Sequence, residues 1–118
     1  MKLTVDSEEG TILRLKAQGE IAQGALNMDK EPVAALVGDE GYGKTILLDL
    51  ADVDFIDSRG ISWLLVCHKR CAAAGGKLIL HSLSRMVMDV MRVMRLNLVL
   101  IIAENEAAGL AMARGETS

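Results

Sequence analysis

The sequence predicts an α/β domain: a mainly parallel central sheet, an N-terminal hairpin strand and about four helices. Three observations carry that expectation. Short aliphatic runs of strand length, "ILLDL", "KLIL" and "LVLIIA", recur from Ile46 onward. Segments with apolar residues at helical spacing stand between them, and each leads from one strand to the next, as right-handed crossovers between parallel strands do. The 118 residues suffice for one core and not for two. The whole chain, 1–118, is therefore expected to form a single domain, with the tail 115–118, "GETS", fraying.

Taken in order, "KLTVDSEEGTILRLKAQG" holds two strand-like runs, Lys2 to Val5 and Ile12 to Ala17, around the turn-forming "DSEEG". In the second run Leu13, Leu15 and Ala17 alternate with Arg14 and Lys16, the period of a strand with one solvated face. Acidic residues precede Pro32, and Val33, Leu36 and Val37 follow at helical spacing, which predicts a helix from about Glu31 to between Gly38 and Gly43. Ile46, Leu47, Leu48 and Leu50 then form a buried strand, since as a helix that stretch has no polar face.

From Ser58 the period changes. "SRGISWLLVCHKRCAAAGG" places Ile61, Leu64, Leu65, His68 and Ala72 on one helical face, with Ser58 at the N-cap position and Gly75-Gly76 as the stop. "KLILHS" is a further strand, and "LSRMVMDVMRVMRLN" a helix capped by Ser84. Its Met86, Met88, Met91 and Met94 suit a core, and any that point outward make an adaptable contact surface. "LVLIIA" supplies the last strand and "ENEAAGLAMAR" a closing amphipathic helix.

Hydrophobic residues make up 51% of the chain and charged ones 25%, so it can fold alone. The mean hydropathy is +0.29, but charges interrupt every apolar run well short of the roughly 18 residues a spanning helix needs. "MKLTVDSEEG" lacks the apolar stretch of a signal peptide, so no membrane insertion and a cytoplasmic location are expected. A net charge of −3 and 3% aromatic residues disfavour direct nucleic-acid binding, which draws on cations and stacking platforms. A protein partner or a small ligand is the expectation.

Three motifs invite chemistry. "GDEGYGKT", Gly38 to Thr45, matches a phosphate-binding loop, but that loop needs a strand before it and a helix after it, and here the predicted order is reversed. The glycines are read as ending a helix and turning the chain into a strand. Asp49, Asp52, Asp54 and Asp57 could bind magnesium or accept phosphate; the absence of a matching lysine and hydroxyl on neighbouring strand ends favours a solvated acidic turn. "CHKRC" sets Cys67 and Cys71 four apart, with Cβ atoms about 5–6 Å apart on a helix, too far for a disulfide. With only His68 between them a metal site lacks a fourth ligand, so both thiols are read as helix packing, with no metal and no cofactor expected.

The stretch "LLDLADVDFIDSRGISWLLVCHKRCAAAGGKLIL" couples an aliphatic strand, Phe-Ile-Asp-Ser-x-Gly, an apolar helix and Gly-Gly before the next strand. It resembles the STAS domain, the fold of bacterial anti-sigma factor antagonists. "RLKAQGEI" resembles that family's second strand and Gly-Glu turn, and "SLSRMVMDVMRVMRLN" the segment before its last strand. The resemblance implies a binding protein rather than an enzyme. Its expected cycle is docking on a serine-kinase anti-sigma factor when unphosphorylated, release of a sigma factor, loss of binding on phosphorylation of Ser58, and restoration by a serine phosphatase. Asp57, Ser58, Arg59, Gly60 and Ile61 are the partner-binding residues it implies, and a free monomer is expected.

This chain departs from the family pattern at Arg59, where a second Ser or Thr is common, and at Ile21-Ala22, where an apolar residue and Asp often follow the Gly-Glu turn. The residues alone also admit a plain N-cap at Ser58 and a non-switched adaptor subunit of a signalling or lipid-transport assembly.

Overall fold

A computed structural model describes residues 1–22 and 31–115. Five strands, β1 (Lys2–Glu9), β2 (Ile12–Ile21), β3 (Thr45–Ile56), β4 (Lys77–His81) and β5 (Ile101–Ala103), lie side by side in chain order. β1 pairs antiparallel with β2, and every later pairing is parallel. Four helices accompany them: α1 (Pro32–Val37), α2 (Ser58–Ala73), α3 (Arg85–Val93) and α4 (Glu106–Ala113). The α/β class, the opening hairpin, the parallel sheet and the four helices agree with the sequence reading.

Crossovers of one hand that step in one direction across a sheet fall on one face. Accordingly Val33 of α1, Trp63, Leu64, Cys67 and Cys71 of α2, and Val87 and Met91 of α3 share one core with Leu15, Ile46, Leu48, Leu50, Leu78 and Leu80 of the sheet. The opposite face carries α4, the one described helix on that side, over a small cluster of Leu47, Ile79 and Ala103. Gly109 makes that contact close: a Cβ there would lie 2.9 Å from Leu47 Cδ2. Past α4 the same face is charged, with Arg14 bonded to Ser7 and Glu106, and Lys16 paired with Asp52.

Several boundaries differ from expectation. β1 and β2 are longer than the runs Lys2 to Val5 and Ile12 to Ala17, because ladder pairing carries polar residues such as Ser7 and Glu8 that a propensity reading leaves in the turn. β3 continues through the aspartates to Ile56, so the expected acidic turn is strand; register shifts opposite Lys16/Gln18 and Gly19/Glu20 break its alternation. The last strand shrinks to Ile101–Ala103, because Leu96–Leu98 is taken up by a turn of 3₁₀ helix.

On α2 the buried stripe is Gly60, Ile61, Trp63, Leu64, Cys67 and Cys71; His68 is half-buried and Ala72 exposed, so the inward face is rotated from the one predicted. The expected fraying of the tail concerns Gly115, whose φ is +73°, and residues 116–118, which lie outside the described residues.

Candidate functional site

The junction of β3 and α2 is built from its backbone outward. Asp57, extended at φ −110°, caps α2: its Oδ1 accepts the Gly60 N–H at 2.9 Å, and its carbonyl accepts the Ile61 N–H at 3.0 Å. The cap is thus Asp57 and not Ser58, because a carboxylate one residue earlier reaches the amide three positions on. Ser58 becomes the first helical residue, exposed, with its hydroxyl making no hydrogen bond among the described residues.

Gly60 is buried, and a Cβ on it would lie 2.1 Å from the Ile21 carbonyl oxygen and 2.8 Å from Ile56 Cγ1. The backbone that approaches this glycine is therefore the chain's own β2. The Ile21 carbonyl also accepts the Asp57 N–H at 3.3 Å, so the end of β2 seats the first turn of α2. Of the five residues expected at a partner surface, Ser58 and Arg59 are exposed and Asp57 is half-buried, whereas Gly60 and Ile61 are buried and hold the helix in place. Phe55, 42% exposed just ahead of them, and exposed Asp54 complete the rim. The sequence marks Phe55 as the first residue of Phe-Ile-Asp-Ser-x-Gly, and the register shift that turns it outward is a tertiary effect.

The other motifs disperse. "GDEGYGKT" forms a 3₁₀ helix, Asp39–Gly43, that feeds directly into β3, and the Lys44 ammonium pairs with Glu8 of β1. No helix opens at Lys44-Thr45, so the amide cradle of a phosphate loop is not formed. Asp49 bonds the Ala51 N–H at 2.9 Å. Asp52 accepts from Lys16, which holds its carboxyl below the usual range and raises the lysine. Among the described residues no three His, Cys, Asp or Glu side chains gather as metal ligands. Cys67 and Cys71 are buried and free; burial, reinforced by the Glu31 charge, pushes both thiols up, Cys71 to about 11.

Sequence reading missed the Glu31 cluster. This carboxylate, 4% exposed, caps α1 through the Val33 and Ala34 amides at 3.0 and 2.9 Å. It also accepts from the Tyr42 hydroxyl, the Trp63 indole and the Cys67 thiol, with Arg70 at 3.7 Å. An acid before Pro32 signals the cap, but nothing local signals hydrogen-bond donors as far as 36 positions away.

The profile of the STAS domain matches residues 4–109. Among solved structures, the chain is similar to tm1081 of Thermotoga maritima, a candidate anti-sigma factor antagonist (22% identity, TM-score 0.77, 95% of this chain and 94% of that one). It is similar to the anti-sigma factor antagonist SpoIIAA in its unphosphorylated form (18%, 0.73, 99% and 100%). An anti-sigma factor antagonist of Mycobacterium paratuberculosis gives 16%, 0.77, 96% and 95%. No curated protein matches the chain significantly. With the match spanning nearly its whole length and the same sheet and helix arrangement in these neighbours, the chain belongs to the STAS domain family.

Proposed function

We propose that this chain is an anti-sigma factor antagonist that docks on a serine-kinase anti-sigma factor through Ser58 and Arg59, with Asp57, Phe55 and Asp54 at the rim, and that phosphorylation of Ser58 ends the docking. Gly60 and Ile61 contribute by fixing the first turn of α2. The observation that carries the reading is the exposed, unbonded Ser58 hydroxyl on a helix turn that Asp57 caps and Gly60 seats on Ile21. A kinase can reach that hydroxyl without unfolding anything.

A phosphate there adds about −1.5 to −2 charges. The N-terminus of a 16-residue helix tolerates that charge, so the fold survives. The same charge adds to the field of Asp54 and Asp57 and removes a neutral hydroxyl from the docking surface. The effect falls on the interface and leaves the core alone, and a serine phosphatase reverses it. No catalytic step is assigned to this chain.

The test is affinity capture with wild type, Ser58→Ala and Ser58→Asp as baits, followed by phosphosite mapping of wild type incubated with the retained kinase and ATP. The expected result is a serine kinase held by wild type and Ser58→Ala, lost by Ser58→Asp, and phosphate on Ser58. Equal retention of the same scaffold or transport proteins by all three baits overturns the switch and identifies an adaptor.

A further inference from the structure

A second surface stands apart from Ser58. Ser84, the N-cap of α3, donates to the Val53 carbonyl at 3.0 Å, which ties the start of α3 to the sheet end where α2 also begins. α3 then runs back for nine residues, about 13 Å, toward the opposite end of the sheet. There it exposes Val93 (83%), Met94 (54%), Leu98 (76%) and Val99 (52%), the densest run of exposed large apolar residues among those described. An open groove of about 640 Å³ follows the helix along Met86, Val90, Val93 and Met94, with Arg85 and Asp89 on its rim. A contiguous apolar surface of this kind marks an interaction site.

The charges beside it are basic on an otherwise acidic chain. The segment 85–99 holds Arg85, Arg92 and Arg95 against a single acid, Asp89, whereas the whole chain carries −3. All three arginines are exposed, and none forms an ion pair among the described residues. Arg95 adds an independent observation. It sits in the left-handed region, φ +57° and ψ +27°, directly after the C-cap Met94, a position where glycine is the unstrained choice. Among the described residues its side chain makes no bond that offsets the strain. A local rule broken without an internal gain points to a role outside the fold.

We infer that the α3 strip is a docking surface for an amphipathic helix with acidic flanks presented by another protein. Apolar side chains of that helix would fill the groove along Met86, Val90, Val93 and Met94 and extend onto exposed Leu98, with the thioethers adapting to their shape. Its carboxylates would meet Arg92, Arg95 and Arg85. A second copy of this chain fits less well, because an antiparallel pairing of two α3 helices centred on Val90 sets Arg85 against Arg95 of the other copy. An anionic membrane fits less well too, since the strip has no Trp, Phe or Tyr anchor and the chain as a whole is acidic.

The test is a displayed library of helical peptides selected on wild-type protein, with sizing and flotation on vesicles of phosphatidylcholine and phosphatidylglycerol run in parallel. Selected peptides are expected to carry an apolar stripe at helical spacing flanked by Glu and Asp, and to weaken with salt. Val93→Asp and Leu98→Asp, both on exposed side chains, should lower their affinity at least tenfold with an unchanged melting curve. Arg95→Gly should raise Tm by a few degrees and still lower affinity several-fold, which separates binding from folding. Peptides without acidic enrichment, unchanged affinity in these variants, self-association lost in Val93→Asp, or vesicle binding lost in Val93→Asp would each overturn the inference.

Discussion

α1 and α2 both begin on a carboxylate, and the two caps have opposite surroundings. Glu31 is buried and saturated: it serves two backbone amides, a phenol, an indole and a thiol drawn from α1, the 3₁₀ segment and α2. Asp57 is half-buried at the rim of the domain, serves the Gly60 amide, and is followed by an exposed serine and arginine. Capping chemistry is the same in both. Burial decides the consequence: a buried cap becomes a clasp that donors from three elements depend on, whereas a cap at the rim leaves the next residue free to change its charge.

That contrast is open to attack from its strongest side first. Glu31→Ala leaves the Trp63 and Tyr42 donors buried without an acceptor and should cost about 3–5 kcal/mol in urea unfolding. A loss under about 1 kcal/mol would show that the clasp is not structural. Gly60→Ala drives a Cβ against the Ile21 carbonyl and should cost about 3 kcal/mol, because backbone cannot yield as a flexible side chain does. A stable Gly60→Ala protein that still binds its partner would mean that the seat of α2 is slack.

The buried cap also reaches the thiols. Cys71 is raised from its ordinary 9.0 to about 11, by burial first and by the Glu31 charge second. A raised folded pKa favours the protonated form in the native state, so this contribution is fully present below pH 9 and is lost as pH rises toward 11. At pH 10 the loss from Cys71 should be about 1 kcal/mol, and Cys71→Ala should flatten the pH dependence of denaturation above 9.

Effects at the rim are smaller. Asp57→Ala should cost about 1 kcal/mol, the ordinary worth of an N-cap, with α2 still helical by circular dichroism. Ser58→Asp should change stability by no more than about 0.5 kcal/mol, since an exposed acid in the first turn suits the helix N-terminus. A large loss of stability in Ser58→Asp would move the proposed switch from the surface into the fold.

How much of this was readable beforehand depends on the range of the interaction. The end of α2 at Gly75-Gly76 and the caps Ser84 of α3 and Asn105 of α4 rest on contacts within a few residues, and they stand close to where pattern places helices. The cap at Asp57 was misread by one position because Ser and Asp are both good caps and adjacent, and only the Gly60 amide chooses between them. The inward face of α2 is rotated from the predicted one because His68 and Ala72 continue a stripe at helical spacing as well as Cys67 and Cys71 do, and sheet packing selects between the two stripes. The Glu31 cluster was invisible because its donors lie 11, 32 and 36 positions away.

By itself the sequence determined the strand and helix order, the parallel sheet after a hairpin, and the Asp-Ser-x-Gly stretch that carries the family resemblance, because those depend on period, length and turn chemistry. Only the tertiary structure decided which face of α2 is inside, that Gly60 is held by Ile21, that Phe55 turns outward, and that α3 keeps an apolar strip beside arginines with no ion pair among the described residues. Each of those depends on which distant surfaces meet, and burial and pairing are properties of that meeting.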